Sequence, residues 1–207
     1  RAFYNEEEVI EKVFYYNEFR KGATYTYDDD CLFLNIWVPE DATPISELPV
    51  IFYIHGGGYK GGCAHEKHFD GPVWPTKGVI AVSCNYRLGP MGYMCLPELE
   101  KEAGHTGNYG MYDQITALQW VRDNIREFGG NPDNITIFGQ SAGAMSVQNL
   151  CISPLTDGMF AKAAMDSGGG IHKLMNSNAT TKDRFEFWEK VMEDAGCRNV
   201  QELRALE

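Results

Sequence analysis

The sequence predicts an α/β fold with a mostly parallel sheet and flanking helices, and three observations support this prediction. Strand-like apolar runs alternate along the chain with segments of helical periodicity, the order typical of α/β proteins. The runs 49–54 and 79–84 are almost continuously apolar, as is typical of strands covered on both faces. The runs 49–54 and 135–138 both lead into glycine-rich loops, and open α/β sheets bind ligands at the carboxyl ends of their strands.

Length and composition are those of a folded globular protein. The 207 residues are 43% apolar and 13% aromatic, enough to bury a substantial core, and we predict one domain over 1–207. The formal net charge of −11 argues against nucleic acid or an anionic membrane as a partner. No apolar run is long enough to span a bilayer, so no transmembrane segment is predicted.

Strand signals occur in five segments, which are 32–38, 49–54, 79–84, 135–138 and 163–166. The first of them, LFLNIWV, is rich in β-branched and aromatic residues and is stopped by Pro39. The next two are the continuous apolar runs. The last two are short, and each is followed by a serine among glycines.

Helical signals are fewer. Residues 6–16 favour a short acidic helix, and Ile115, Leu118, Val121 and Ile125 recur at the spacing of an amphipathic helix. Glycine and proline in the segment 128–133 end that helix. Further helices are predicted at 142–150 and 181–195, whereas 63–78 and the glycine- and proline-rich LGPMGYMCLPE segment are predicted to be irregular apart from a possible helical turn in 63–78.

The segment 139–143, GQSAG, fits the G-x-S-x-G pattern in a strand–turn–helix setting. Gly139 and Gly143 would allow strand and helix to approach closely while Ser141 projects from the tip of the turn. A serine hydroxyl is a weak nucleophile, so this placement is useful only where a base can reach it. Taken alone, the same five residues also fit a glycine-rich turn whose serine caps the helix.

A second glycine-rich segment, His55-Gly56-Gly57-Gly58, follows the strand 49–54. Acyl transfer from a serine passes through an oxyanion that needs preorganised N–H donors, and loops of this type supply them. A phosphate-binding loop or a plain turn is the alternative. A P-loop would require lysine and serine or threonine after the last glycine, and both are absent; a dinucleotide-binding loop would belong to the first βαβ unit. The hydrolase interpretation is therefore favoured.

Several motifs in the expected order resemble the type B carboxylesterases, the α/β-hydrolase family that includes cholinesterases and bacterial para-nitrobenzyl-type esterases. They are DDCLFLNIWVP, HGGGYKGG, NYRLGPMGY, the long segment from NYGMYDQ to GQSAGA, and DSGGG. The resemblance implies a partial α/β-hydrolase fold. It also implies a nucleophile at Ser141 and oxyanion-hole amides at Gly57, Gly58 and Ala142. Ser167 matches a serine that, in relatives, lies behind the triad and hydrogen-bonds the triad acid.

The chain departs from this family in two respects. Gln140 stands beside the predicted nucleophile where many relatives have glutamate, which removes a charge near the site. The family chain is more than twice as long, and its triad acid and histidine lie downstream of the nucleophile. We therefore expect an internal fragment, lacking the amino-terminal hairpin and the carboxyl-terminal half and nearly inactive alone, because loss of the triad histidine costs on the order of 10⁶ in kcat.

None of the five histidines is a good substitute base by sequence. His55 belongs to the predicted oxyanion loop, where a structural role is favoured. The other four are expected to be solvated in loops, and they are His65, His68, His105 and His172. Tyr86, Arg87 and Trp120 are interpreted as core or supporting structure.

No metal or cofactor is expected. The six cysteines lack C-x-x-C spacing, so a zinc site is unfavoured, and the acidic run 28–30 is interpreted as a solvated turn. The resemblance places Cys31 and Cys197 near disulfide positions of secreted relatives, but neither has its partner here. This leans weakly toward a reducing, cytoplasmic compartment, with secretion left open.

The functional hypothesis is hydrolysis of a small-molecule carboxylic ester through an acyl-serine intermediate. One alternative is a catalytically silent interaction module, since the family contains such members; those generally lose the nucleophile or the oxyanion glycines. Another is acyl transfer to an alcohol or amine by the same nucleophile. The sequence does not define the ester or the oligomeric state.

Overall fold

The computed structural model describes residues 21–22, 24, 26, 28–66, 69, 71–170 and 180–206, and the predicted helix at 6–16 lies outside them. Five strands form one sheet in the order β1-β3-β2-β4-β5. Only β1 is antiparallel to its neighbour, so the sheet is mostly parallel as predicted. The strands are β1 Leu34–Trp37, β2 Leu48–Ile54, β3 Ile80–Cys84, β4 Gly130–Gln140 and β5 Lys162–Asp166.

The core lies at the centre of this sheet. All of β3 and the last five residues of β2 are buried, which confirms that these strands are covered on both faces. Phe52, Ile54, Leu118, Ile137 and residues of the helix after β4 belong to one apolar cluster. In contrast, every residue of β5 is exposed, so the sheet is open at that side within the described residues.

Six α-helices occur among the described residues, and the predictions for three of them are confirmed with small shifts at the ends. The helices are α1 Gly89–Tyr93, α2 Pro97–Ala103, α3 Tyr109–Asn124, α4 Ala142–Ile152, α5 Phe185–Asp194 and α6 Val200–Arg204. Short 3-10 turns lie at Gly71–Lys77, Ile125–Phe128, Pro154–Thr156 and Lys182–Arg184. The turn at Gly71–Lys77 falls inside the segment in which a helical turn was predicted.

Two predictions about helical residues were wrong. The segment LGPMGYMCLPE contains α1 and leads into α2, because its prolines occupy first-turn positions where no N–H is needed. Trp120, interpreted as core or supporting structure, is 40% exposed on α3.

Two strands also differ by more than one residue in length from their predictions. β1 is limited to the residues that pair with β3. β4 begins at Gly130, because backbone pairing with β2 continues across a register shift near Leu48. None of the described helices is long and apolar enough to cross a bilayer.

Candidate active site

Three strand ends define the candidate site. Ile54 of β2 lies opposite Gly139 of β4, and Gln140 lies opposite Asp166 of β5. These strands are parallel, so their carboxyl ends meet at one edge of the sheet. Because of this register, the loop 55–58, the elbow at Ser141 and the loop that begins at Ser167 start side by side.

Ser141 occupies a strained backbone conformation between β4 and α4. Its φ of 55° and ψ of −121° lie in a region that residues with a side chain rarely adopt, at a cost of about 1–3 kcal/mol. Its N–H donates to the Asp166 carbonyl at 2.9 Å. A Cβ added to Gly143 would lie 2.0 Å from the Ile54 carbonyl oxygen, and one added to Gly139 would lie 2.3 Å from the Gly143 carbonyl group. Only glycine fits these two positions, as the sequence predicted.

The glycine-rich loop after β2 touches this turn. A Cβ added to Gly56 would lie 3.2 Å from the Ser141 Cβ and 2.8 Å from the Gln140 carbonyl oxygen. The Gln140 side-chain oxygen would be 3.0 Å away. The backbone of the loop therefore packs directly against the residue proposed to be the nucleophile and against its neighbour.

The three backbone N–H groups predicted to form the oxyanion hole belong to Gly57, Gly58 and Ala142. Gly57 and Gly58 have φ values of 95° and 62°, in the left-handed region that favours glycine. The Gly57 carbonyl accepts hydrogen bonds from Lys60 and Gly61, but within the described part of the chain neither the Gly57 nor the Gly58 N–H donates to another backbone group of this loop. Ala142 is the first residue of α4, where N–H groups lack an intrahelical carbonyl.

His55 is buried at the start of the same loop. Its Nδ1 lies 2.9 Å from the Gly56 carbonyl oxygen, and its ring stacks on Tyr86 with 4.3 Å between centroids. The Tyr86 hydroxyl donates to the His55 carbonyl at 2.8 Å. These contacts support the structural role expected for His55, because they attach the start of the loop to Tyr86.

The other histidines are at the surface or outside the described residues. His65 is exposed and stacks on Phe33, and His105 is exposed against Tyr109 and Tyr112. The solvated positions predicted for these two are confirmed, whereas His68 and His172 lie outside the described residues.

The loop after β5 approaches the elbow from the other side. Ser167 has a left-handed φ of 54°, and its Oγ donates to the Asp166 carboxylate at 2.8 Å. A Cβ added to Gly168 would lie 2.3 Å from the Ser141 carbonyl oxygen. Ser167 is thus adjacent to the elbow, and its predicted hydrogen bond to a triad acid stays a prediction.

Sequence reasoning missed the ion pair that fixes the loop after β3. Arg87 donates from Nε and from its terminal nitrogen to both oxygens of Asp113 at 2.8 Å, and its backbone N–H donates to the same carboxylate at 2.9 Å. The Asp113 hydrogen bonds are the main cause of the raised pKa of Arg87. The available signal was a basic residue just after β3 and an acidic residue in the first turns of α3.

The cysteines and the acidic run show no metal-binding geometry among the described residues, where no group of three potential ligands could hold an ion. Burial raises the pKa of the Cys84 thiol to about 12, so this side chain is a neutral, buried group as predicted. Asp28, Asp29 and Asp30 are exposed.

Known proteins resemble both the sequence and this arrangement. The model of the carboxylesterase family matches residues 5–206. The chain is 44% identical over 143 residues to fumonisin B1 esterase of Sphingopyxis macrogoltabida, which covers 68% of this chain. It is 42% identical over 158 residues to para-nitrobenzyl esterase of Bacillus subtilis strain 168, which covers 76%. A solved carboxylesterase structure from Geobacillus stearothermophilus has a TM-score of 0.77 at 34% identity over 90% of the chain.

The sheet topology, the strand–turn–helix elbow and these structural relatives define the class of fold, which is the α/β-hydrolase fold. The chain belongs to the carboxylesterase family. It spans 26% of the fumonisin esterase, 32% of the para-nitrobenzyl esterase and 38% of the Geobacillus structure.

Proposed function

We propose that the protein containing this chain hydrolyses carboxylic esters through an acyl-serine intermediate on Ser141. One observation supports this most strongly: the backbone of Gly56, the residue before Gly57 and Gly58, packs against Ser141, which lies on a strained turn. Strain of this kind persists where the surrounding structure enforces it, and it is concentrated at functional sites.

In the proposed reaction, the Ser141 hydroxyl attacks the ester carbonyl carbon while a histidine outside this chain accepts its proton. The carbonyl oxygen becomes an oxyanion held by the N–H groups of Gly57, Gly58 and Ala142. The alcohol leaves with the proton from the histidine, and the acyl group remains on Ser141. Water then attacks the acyl-enzyme, and the carboxylic acid is released.

The substrate class follows from the relatives and from the site. Two relatives are named as esterases of fumonisin B1 and of para-nitrobenzyl esters, and we propose a small-molecule carboxylic ester for this protein. The Gln140 side chain touches the oxyanion loop without adding a negative charge. This amide favours neutral over cationic esters, because a carboxylate at this place would attract a cation.

A catalytically silent interaction module is the alternative from another class. The retained serine and three glycines argue against it, since a silent module has no need of a strained turn beside free amides. Acyl transfer to an alcohol or amine would use the same residues, and it is distinguished by adding such an acceptor and measuring the transferred product.

The test uses the complete protein that contains these residues. Hydrolysis of a chromogenic ester is measured for the native protein, for Ser141→Ala and for Ser46→Ala, a matched serine variant in the loop before β2. We expect Ser141→Ala to lose at least about 10³-fold in kcat/KM and Ser46→Ala to keep native activity. Turnover that survives in Ser141→Ala would reject the proposed nucleophile, and a native protein without turnover would favour the silent module.

A further inference from the structure

A buried polar cluster extends to the residue that follows the loop 55–58, and the reaction proposed above uses none of it. Its members are Gln114 on α3, Ser146 on α4, Tyr93 on α1 and Tyr59, which follows the loop. Gln114 and Ser146 are fully buried. Tyr59 follows Gly58 directly, so the cluster reaches one of the three proposed oxyanion donors through a single peptide unit.

Contacts join the members in a line. The Gln114 Nε2 donates to Ser146 Oγ at 3.2 Å. Ser146 Oγ lies 3.5 Å from the Tyr59 hydroxyl oxygen, at the long limit of a hydrogen bond, and the Tyr59 ring packs on Tyr93 with 5.1 Å between centroids. These contacts therefore connect α3 and α4 with the side chain that follows the oxyanion glycines.

Two polar atoms of this cluster lower the free energy of unfolding. Within the described residues, the Gln114 side-chain oxygen and the Tyr93 hydroxyl are buried without a hydrogen-bond partner. A buried polar atom of this kind costs about 1–3 kcal/mol, whereas an apolar side chain of similar shape would avoid the cost. Because stability does not account for the cluster, we consider its contacts with Tyr59.

Tyr59 is held from both ends. Its φ of 60° is a left-handed value that is unusual for an aromatic residue, and its carbonyl accepts a hydrogen bond from the Gly89 N–H at 2.7 Å. Its hydroxyl faces Ser146. A rotation of the Tyr59 backbone would turn the preceding peptide units, so anchoring this side chain restrains the Gly58 amide.

We propose that Ser146 and Gln114 act through Tyr59 as positioning residues, which hold the Gly57 and Gly58 amides in the orientation that an oxyanion requires. The catalytic part of this inference rests on the proposed function, whereas the restraint on the amides does not. Burial is the main cause of the raised pKa of Tyr59, so its hydroxyl stays neutral and able to hydrogen-bond at physiological pH.

The first measurement compares steady-state kinetics of the complete protein with those of Tyr59→Phe and Ser146→Ala. Loss of a whole oxyanion donor costs about 10²–10³ in rate, so a loosened donor is expected to lower kcat about tenfold with KM changed less than about twofold. The double variant is expected to lose no more than the larger single loss, because both changes break one line of contacts.

Thr156→Val is the matched control. It removes another buried hydroxyl, which donates to the Leu150 carbonyl at the far end of α4. A general loss of packing would affect this variant equally. We expect it to lower the unfolding midpoint without changing kcat.

The second measurement does not require activity. Backbone order parameters are measured by NMR relaxation at Gly57 and Gly58, with the amides of β2 as the internal reference. We expect the order parameters of the two glycines to fall from about 0.85 to about 0.6 or below in Tyr59→Phe and Ser146→Ala, and those of β2 to stay unchanged.

The outcomes separate the two proposals. If the native protein showed no turnover but both variants lowered the order parameters of the two glycines, the restraint would be retained and the esterase rejected. If the native protein turned over an ester but both variants left kcat and the glycine order parameters unchanged, the positioning role would be overturned and the esterase would stand. If Thr156→Val lowered kcat as much as Tyr59→Phe and Ser146→Ala do, the losses would reflect a general loss of packing, and the positioning role would be rejected.

Discussion

The backbone N–H of Ser141 donates to the Asp166 carbonyl at 2.9 Å. Asp166 is also the residue of β5 that pairs with Gln140, the last residue of β4. This bond attaches the strained turn to the neighbouring strand. Because β5 is exposed along its whole length, the orientation of Ser141 depends on an edge of the sheet. The geometry of the candidate site therefore depends on the edge strand β5 as well as on the G-x-S-x-G turn.

Gly56→Ala tests the close approach between the oxyanion loop and the elbow. The added methyl group would lie 2.8 Å from the Gln140 carbonyl oxygen, so the loop must retreat from Ser141. We expect kcat/KM for ester hydrolysis in the complete protein to fall by about 10² or more, because a displacement of about 1 Å is sufficient for such a loss.

Gly104→Ala is the control for this variant. Gly104 ends α2 with a φ of 76° and has open space around its missing side chain. Alanine there is expected to cost about 1 kcal/mol in unfolding free energy and to leave kcat/KM unchanged. Equal kinetic losses in the two variants would contradict a specific role for the close approach at Gly56.

Asp113→Asn tests the ion pair that fixes the loop after β3. Only 9% of the Asp113 side chain is exposed, and three nitrogens of Arg87 donate to it. Because 38% of the Arg87 side chain remains exposed to screening solvent, we expect a loss of only about 1–2 kcal/mol in unfolding free energy, measured by urea denaturation.

Asp133→Asn provides the comparison, because 74% of the Asp133 side chain is exposed in its pair with Arg122. Surface pairs of this kind contribute about 0–1 kcal/mol. If both substitutions destabilised the protein equally, burial of the Arg87 pair would have no special effect.

Glu66 predicts a particular pH dependence of stability. Burial is the main cause of a pKa raised from 4.5 to about 7, opposed by a hydrogen bond from the Cys63 backbone. Between these two pKa values the folded protein binds more protons than the unfolded chain, so the unfolding free energy falls as pH rises. The full effect is on the order of 3 kcal/mol and is reached above about pH 7.

Glu66→Gln removes this titration. Urea denaturation between pH 4.5 and 8 should show a flatter profile for Glu66→Gln than for the native protein, and an unchanged profile for the exposed control Glu40→Gln. An unfolding free energy that falls with pH as steeply in Glu66→Gln as in the native protein would contradict a buried carboxyl at this position.

Much of the site was predictable because it depends on glycines and on strand ends. Gly139 and Gly143 are required by contacts of 2.0–2.3 Å that any side chain would violate, so the pattern itself encodes the geometry. Buried strands were predictable for a similar reason, since β2 and β3 leave no polar face.

The remaining features depend on tertiary contacts that local patterns do not report. Gln114 lies on the buried face of α3 with Leu118 and Val121, but a polar residue does not contribute to an apolar periodicity, so the cluster with Ser146 was missed. The start of β4 at Gly130 depends on pairing with β2, and α1 is too short for a periodic signal.

The central claim is that the Ser141 hydroxyl and the amides of Gly57, Gly58 and Ala142 face one point. A crystal structure of the complete protein, treated with a fluorophosphonate, tests it most directly. We expect the phosphorus atom bonded to Ser141 Oγ, with its oxygen about 2.7–3.1 Å from all three amide nitrogens. A phosphonyl oxygen that points into solvent, away from Gly57 and Gly58, or attachment to a residue other than Ser141, would contradict the claim.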